Sequence, residues 1–152
     1  MRLKVAAIGR WKAGPERSLF EHFARRITFP LDLKEVEAKK NLPPAALIRR
    51  EGELLLAEAP KGAIVVALDG RGKALTSVAF AKQLGRWRDD GVREVVFIIG
   101  GADGLDDSVR RKATLTLSLG PMTWPHLMVR AMLAEQIYRA QAILSGHPYH
   151  RA

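Results

Sequence analysis

Residues 147–151 combine side chains that suit contact with a nucleic acid. They spell His-Pro-Tyr-His-Arg and hold two of the four histidines in the chain. Arginine binds phosphate groups, tyrosine and histidine stack on unpaired bases, and histidine carries protons near neutral pH. Because no carboxylate stands nearby in the sequence, the two histidines do not by themselves predict a metal site. A frayed basic tail is the alternative interpretation.

A second candidate pair lies in a long helix predicted over residues 125–144. Glu135 and Arg139 stand one helical turn apart, so their side chains can pair on one face of that helix. The pair could simply stabilise the helix, or, buried at an interface, it could orient a substrate group. The helix is apolar almost all round, which predicts burial on several sides. A second subunit is the simplest cover for the side that a small sheet leaves open.

Two short apolar runs, residues 63–68 and 94–99, are typical of buried parallel strands and are each followed by a glycine turn. Open α/β sheets bind ligands beyond the carboxyl ends of their strands, which makes Leu68-Asp69-Gly70 and residues 100–104 candidate ligand turns. Neither turn has the glycine spacing of a dinucleotide or phosphate loop. Ordinary turns between strand and helix are the alternative.

The segment 118–126 joins the last predicted strand to the last helix and is unusual for a loop. It is apolar, contains two prolines and carries Trp124. A stiff apolar loop beside two glycine turns predicts the wall of a cavity for a flat, partly apolar ligand. Burial of Met122 and Trp124 as ordinary core residues is the alternative.

The elements that must position these groups alternate between strand and helix, which predicts one α/β domain over residues 1–152 with a mostly parallel sheet. The predicted strands cover residues 3–8, 31–36, 63–68, 94–99 and 114–119, and residues 69–73 are predicted as a turn. The predicted helices cover residues 16–27, 44–58, 77–88, 106–113 and 125–144.

Charge and composition narrow the possible partners. Twenty-five Lys and Arg against sixteen Asp and Glu give a net charge of +9, which favours a polyanion such as RNA, although a generally basic proteome would give the same balance. The absence of cysteine excludes disulfides and cysteine-based metal sites or nucleophiles. No targeting or membrane-spanning segment is apparent, so we expect a cytoplasmic protein without a membrane partner.

Five motifs together give the chain a family resemblance. They are LKVAAIG at the first strand, IIGGADGL, SLGPMTWPH, VRAMLAEQIYRA and the closing HPYHR. In this order and spacing the chain resembles the RlmH (YbeA-like) family of SPOUT methyltransferases over essentially its whole length. The resemblance implies an α/β knot fold, with a deep trefoil knot and the cofactor region in residues 100–146 and a functional tail at residues 147–152.

The same resemblance implies an activity and its partners. Members are homodimers that use S-adenosylmethionine, with no metal, to methylate N3 of a pseudouridine in 23S ribosomal RNA. The RNA substrate lies within the large subunit or the assembled ribosome. Trp124 stands where many members have Phe or Leu, and residues 37–43 are fewer than in some members, so the adenine pocket and the early basic surface are expected to differ.

Site residues follow from the motifs, position by position. The expected cofactor contacts are Leu68, Asp69, Gly100, Gly101, Gly120, Pro121, Met122, Thr123, Trp124 and Pro125. The expected RNA contacts are Arg130, His147 and Tyr149, and the catalytic candidates are Glu135, Arg139, His150 and Arg151. Because N3 is a poor nucleophile until it loses its proton, Glu135 and His150 are candidate bases, and Arg139 and Arg151 are candidate stabilisers of the resulting anion.

Two other functions remain compatible with the residues alone. One is a non-enzymatic, ribosome-associated RNA-binding protein on the same scaffold, which would need no small-molecule pocket. The other is a small-molecule enzyme with a nucleotide cofactor. Its ligand binding would depend only weakly on salt, whereas RNA binding would fall steeply as salt rises. If the chain is instead a methyltransferase of the family that it resembles, we expect the tail to close over a cofactor pocket, either its own or that of a partner subunit.

Overall fold

A computed structural model describes residues 1–39 and 41–151 of the chain; Ala152 of the predicted tail lies outside the described residues. Its centre is a five-stranded sheet in the order β2-β1-β4-β3-β5, in which every neighbouring pair is parallel. The strands are β1 Arg2–Ile8, β2 Leu31–Val36, β3 Ile64–Lys73, β4 Glu94–Ile99 and β5 Leu115–Leu117. The predicted α/β class with a parallel sheet is confirmed.

Helices cover both faces of the sheet. They are α1 Pro15–Ala24, α2 Pro44–Leu56, α3 Ser77–Asp89, α4 Asp107–Lys112 and α5 His126–Ser145. Alternation along the strands divides the core: Val5 and Ala7 face the side of α3 and α5, whereas Ala6 and Ile8 face the side of α2 and α4. This period of two places a closed core on each face of the sheet.

The last helix, α5, packs between α1 and α3 of its own chain. Leu133 and Ile137 join the main core beneath the sheet, while Ala131 and Ala134 contact Phe20 of α1. The apolar surface that the sequence analysis assigned to a second subunit is thus largely covered within the chain. Within the described part of the chain, no helix is long and apolar enough to cross a membrane.

One predicted turn is wrong. Residues 69–73 continue β3 as an extended, bulged segment, because both Leu68 and Lys73 pair with Leu117 across the register shift. The Ser118 backbone N–H donates to the Lys73 carbonyl at 2.9 Å. Gly72 lies so close to the Thr116 backbone that a Cβ could not be accommodated. A short bulge is hard to distinguish from a turn by composition, since glycine serves both.

Because all the strands are parallel, their carboxyl ends lie along one edge of the sheet. That edge carries the turn after β4, the bulge of β3 and the segment between β5 and α5. At the far end of α5, Gly146 adopts the left-handed conformation (φ 74°), and the His147 N–H donates to the Ala142 carbonyl at 2.9 Å. This cap ends the helix and turns the tail back towards it.

Candidate active site

A cavity of about 300 Å³ opens at the carboxyl edge of β3, β4 and β5. Three chain segments line it: residues 68–71 at the bulge of β3, residues 99–105 except Asp103 at the end of β4, and residues 117–124 except Ser118 at the end of β5. His126 and Val129, in the first turn of α5, complete the wall. The cavity therefore forms where the three segments singled out in the sequence meet.

The expected cofactor contacts are brought together by this geometry. All of them line the cavity except Pro125, which instead precedes α5 at its N-cap. Leu68, Ile99 and Leu117 are buried and give the cavity an apolar floor. Met122 and Trp124 are 73% and 38% exposed, so they are rim residues and not the core residues of the alternative interpretation.

Hydrogen bonds hold the segment after β5 in a defined shape. The Gly120 N–H donates to Ser118 Oγ at 3.1 Å, and the same hydroxyl donates to the Gly120 carbonyl at 3.0 Å. The Trp124 indole N–H donates to the Leu119 carbonyl at 3.3 Å. The opposite wall is equally tight, because a Cβ on Gly100 would lie 2.7 Å from the Gly104 carbonyl oxygen. Only glycine permits that close approach of the backbone.

Asp69, an expected cofactor contact that lines the cavity, is bound by Arg71. Its carboxylate accepts hydrogen bonds from the Arg71 backbone N–H (2.8 Å), Nε (3.0 Å) and Nη2 (2.9 Å). These side-chain bonds from Arg71 hold the pKa of Asp69 below its ordinary value. Arg71 lines the cavity, yet the sequence analysis missed it, since a lone arginine in a glycine-rich segment carries no distinguishing signal.

Two further ionisable groups near the cavity have shifted pKa values. Burial, and then the charge of Arg130, hold the pKa of His126 below its ordinary value, which favours a neutral imidazole in the cavity wall. Glu51 of α2 lies behind Gly101, with its carboxylate 3.6 Å from where a Cβ on that glycine would stand. Burial and the neighbouring Asp103 raise the pKa of Glu51.

The catalytic candidates Glu135, Arg139 and His150 form one connected cluster with Tyr149, here called the tail cluster. Glu135 Oε1 accepts from Arg139 Nε at 3.0 Å, from Arg139 Nη2 at 2.5 Å and from the Tyr149 hydroxyl at 3.1 Å. Arg139 also lies over the Tyr149 ring, 4.9 Å from its centroid. Burial, followed by the bond to Glu135, raises the pKa of Tyr149, so its hydroxyl remains a donor.

His150 completes the tail cluster from the other side of Arg139. Its Nδ1 lies 3.1 Å from Arg139 Nη1, and because arginine can only donate, Nδ1 accepts and Nε2 carries the hydrogen. That Nε2 is buried and has no partner among the described residues. His147 accepts a hydrogen bond from the Tyr149 N–H at 3.2 Å, whereas Arg151 is exposed.

The tail cluster does not close the cavity of its own chain, since none of residues 147–151 lines it. Glu135 lines a second cavity, of about 540 Å³, between α1, the start of α3 and α5. Leu117, Leu119 and Gly120 belong to both cavities, so the two lie back to back across the segment after β5. The expected cofactor contacts and the candidate catalytic residue Glu135 therefore lie at two different, neighbouring cavities.

Arg130 requires a correction, because it does not offer its side chain to RNA. The residue is fully buried at 0% exposure, and Nη1 donates to Glu35 Oε2 at 2.6 Å. Nη2 donates to the carbonyls of Ile8 and Gly9 at 3.0 and 2.9 Å, and the guanidinium lies 4.5 Å from the Trp11 ring centroid. These contacts make Arg130 a structural residue that joins α5 to the end of β1.

Comparison with known sequences places this geometry among relatives. A family model described as Predicted SPOUT methyltransferase matches residues 1–150. A protein named Ribosomal RNA large subunit methyltransferase H from Rhodospirillum centenum is 60% identical over 152 residues and covers 100% of both chains. The protein of the same name from Paramagnetospirillum magneticum is 58% identical over 151 residues, which are 99% of each chain.

Solved structures share the fold at low sequence identity. A probable methylase family protein from Haemophilus influenzae aligns with a TM-score of 0.59 and 11% identity, covering 99% of this chain and 70% of its own. The SpoU methyltransferase AviRb from Streptomyces viridochromogenes, solved with AdoMet, aligns with a TM-score of 0.50 and 13% identity, covering 92% and 58%. With a full-length family match, close relatives and this shared fold, the chain belongs to the SPOUT methyltransferase family, alongside the large-subunit ribosomal RNA methyltransferases H.

Proposed function

We propose that this chain transfers a methyl group from S-adenosylmethionine to large-subunit ribosomal RNA. The observation that carries the proposal is the cavity, which gathers three separate motif segments in a chain 60% identical to a named ribosomal RNA large subunit methyltransferase. The net charge of +9 suits an RNA substrate. A purely RNA-binding protein would need no such cavity, so the non-enzymatic alternative is not favoured.

The cavity fits the cofactor in size and chemistry. About 300 Å³ lies within the range of small-molecule sites, which combine an apolar lining with a few polar groups. Leu68, Ile99 and Leu117 offer apolar surface to a flat adenine ring, and the close-packed glycine turn at Gly100 forms another wall of the cavity. When bound, S-adenosylmethionine supplies a methyl group on a positively charged sulfur. The protein's part is to hold that group in line with the attacking atom.

The acceptor that we propose is N3 of a pseudouridine in 23S ribosomal RNA. An imide N–H of this kind must lose its proton before it attacks, and a positioned base contributes about 10²–10⁴ in rate. Glu135 and His150 are the candidate general bases. Arg139 and Arg151 can stabilise the negative charge that develops on the deprotonated pseudouridine. In the described conformation Glu135 and His150 are both bonded to Arg139, so RNA entry has to rearrange the tail cluster.

A homodimer is part of the proposal. The second cavity is largely apolar, and Leu19 at its rim is 49% exposed, so a second copy of the chain would remove that surface from water. The tail cluster borders this cavity through Glu135, which would bring a partner subunit beside the candidate catalytic residues. The trefoil knot of the family, over residues 100–146, belongs to the same proposal.

The direct test uses ribosomes from a strain that lacks this chain. Purified protein and S-adenosylmethionine with a labelled methyl group are added to large subunits and to assembled ribosomes, and the 23S RNA is then mapped by mass spectrometry. We expect one methyl group on one pseudouridine. Cofactor binding without any transfer to RNA would refute the proposed function.

The assignment of the base has its own test. Glu135→Gln and His150→Ala are compared in single turnovers with saturating cofactor. The essential base should show a rate loss of about 10²-fold or more. If both variants keep near-normal rates, neither residue is the base.

A further inference from the structure

The loop between β1 and α1, residues 9–14, is held in place more firmly than an exposed loop of its length requires. The Trp11 N–H donates to Glu35 Oε2 at 2.9 Å, the same oxygen that accepts from Arg130 Nη1. Arg130 Nη2 binds the carbonyls of Ile8 and Gly9, where the loop begins. The Trp11 ring lies between the Arg130 guanidinium and Phe20, 5.4 Å from the Phe20 ring centroid.

This arrangement buries a full positive charge beneath a surface loop. Removing a guanidinium from water is unfavourable unless the charge is paired and its donors are used. Arg130 uses Glu35 and two carbonyls for this purpose, yet its Nε keeps no partner among the described residues. An apolar side chain could pack there with less penalty, so the arginine is better explained by the backbone conformation that it imposes on the loop.

The loop carries two outward cations, one on each side of the anchored Trp11. Arg10 and Lys12 are both exposed, and the side chain of Arg10 is 74% accessible. Arg10 Nε lies 3.8 Å from Glu37, but an ion pair of this length between exposed side chains contributes little. Two cations carried on a preorganised backbone suit phosphate groups, because binding then orders side chains but little of the backbone.

The position of the loop links it to the cofactor cavity. It follows β1, which pairs with β4, so it lies at the sheet edge where the turn at Gly100 also begins. Ile8 Cγ2 lies 3.2 Å from where a Cβ on Gly101 would stand. On the other side, Arg130 sits one helical turn after His126 of the cavity wall. The same helix therefore shapes both the cavity and the loop.

We propose that the β1–α1 loop is a docking surface for RNA phosphate groups, with Arg10 and Lys12 as the contacts and Arg130 as the residue that positions them. The inference rests on the proposed function, since it takes ribosomal RNA as the substrate. Arg130 then contributes to RNA recognition through the loop backbone that it holds, without touching the RNA. The loop that carries the cations follows β1, which pairs with β4, and the turn after β4 lines the cavity, so an RNA strand that reaches the cavity can also contact the loop.

The test is the double variant Arg10→Ala/Lys12→Ala, with Arg25→Ala/Arg26→Ala as the matched control. The control removes the same charge from exposed residues just beyond the other end of α1, at the opposite edge of the sheet. Binding to large subunits and to ribosomes, and methyl transfer, are measured in parallel from low to high salt. Calorimetry with S-adenosylmethionine monitors the cavity.

We expect the loop variant to raise KM for ribosomes by about tenfold at unchanged kcat and unchanged cofactor affinity. The slope of log affinity against log salt should fall by roughly 0.7–0.9 for each lost phosphate contact, and the control should keep the wild-type slope. Equal slopes in the loop and control variants would overturn the proposal. A higher KM at an unchanged slope would also overturn it, placing a ribosomal protein against the loop. Binding without methyl transfer by the wild type would instead mark a failure of the proposed function.

Discussion

Arg130 carries its positive charge inside the molecule, surrounded by Glu35, two backbone carbonyls and the face of Trp11. Removing one partner of a buried ion pair leaves the other charge uncompensated. This lowers the free energy of unfolding far more than replacing both partners together. The difference between the single and the double replacement is therefore a measure of how strongly Arg130 depends on its buried partner.

Arg130→Met should therefore lower the free energy of unfolding by about 3–5 kcal/mol, because Glu35 and the Ile8 and Gly9 carbonyls lose their donor. The double variant Arg130→Met/Glu35→Gln should lose less than the single one, since no unpaired carboxylate remains. Urea denaturation of the single and double variants, with Glu35→Gln alone, completes the cycle. Additive losses would show that the two side chains are not coupled.

His126 predicts a pH dependence of stability with a definite sign. Its pKa in the folded protein lies below the ordinary value of 6.5, because of burial and the charge of Arg130. The unfolded chain therefore takes up the proton first, so the contribution of His126 to stability is complete above about pH 6.5 and is lost as the pH falls towards the folded pKa. Glu51, whose pKa is raised, acts in the opposite direction at lower pH.

The difference between the wild type and His126→Gln isolates this contribution from that of Glu51. Thermal melts from pH 8 to pH 5 should show a smaller loss of Tm for His126→Gln than for the wild type. His22→Gln, at an exposed position of α1, serves as the control and should follow the wild type. Parallel curves for His126→Gln and the wild type would contradict the assignment.

At the scale of elements, the buried strands were predictable because continuous apolar runs such as residues 94–99 admit few other structures. The bulge of β3 was not, because the clash that requires glycine at position 72 comes from Thr116, which is distant in sequence. The candidate cavity was located from its glycine turns and proline-rich segment. The use of Asp69 on Arg71 and the burial of Arg130 depend on tertiary neighbours that no local pattern contains.

The turn after β4 offers a clean test of the cavity. Gly100→Ala places a Cβ 2.7 Å from the Gly104 carbonyl oxygen, so the turn must move. We expect the affinity for S-adenosylmethionine to fall on the order of tenfold or more, as a backbone wall of the site shifts. Gly14→Ala is the matched control, because its backbone is extended and the nearest atom lies 3.6 Å from the added Cβ. Calorimetry should find the cofactor affinity of the control unchanged. Equal affinities in the two variants would show that the turn does not contact the cofactor.

At the scale of the whole molecule, the proposed function requires two separated groups of residues to act together as one active site. The cavity is lined by residues 68–71, most of 99–105 and 117–124, and the start of α5, whereas the tail cluster packs on the second half of α5. In a symmetric dimer each residue group occurs twice, so the tail of one subunit can serve the cavity of the other. This arrangement predicts that activity depends on residues from both subunits.

Mixing two impaired variants tests that arrangement. One variant lacks residues 148–152 and retains its cavity; the other carries Gly100→Ala and retains its tail. The truncated variant alone should transfer no methyl group to RNA, and Gly100→Ala alone should transfer about a tenth of the wild-type amount or less at a cofactor concentration below the wild-type Kd. Sedimentation should show both variants as dimers. After subunit exchange, half of the dimers are mixed and each contains one complete site if the tail acts on the partner, giving about a quarter of the wild-type activity. If the tail serves its own cavity, a mixed dimer has no complete site, and mixing should give no activity beyond that of the two variants alone.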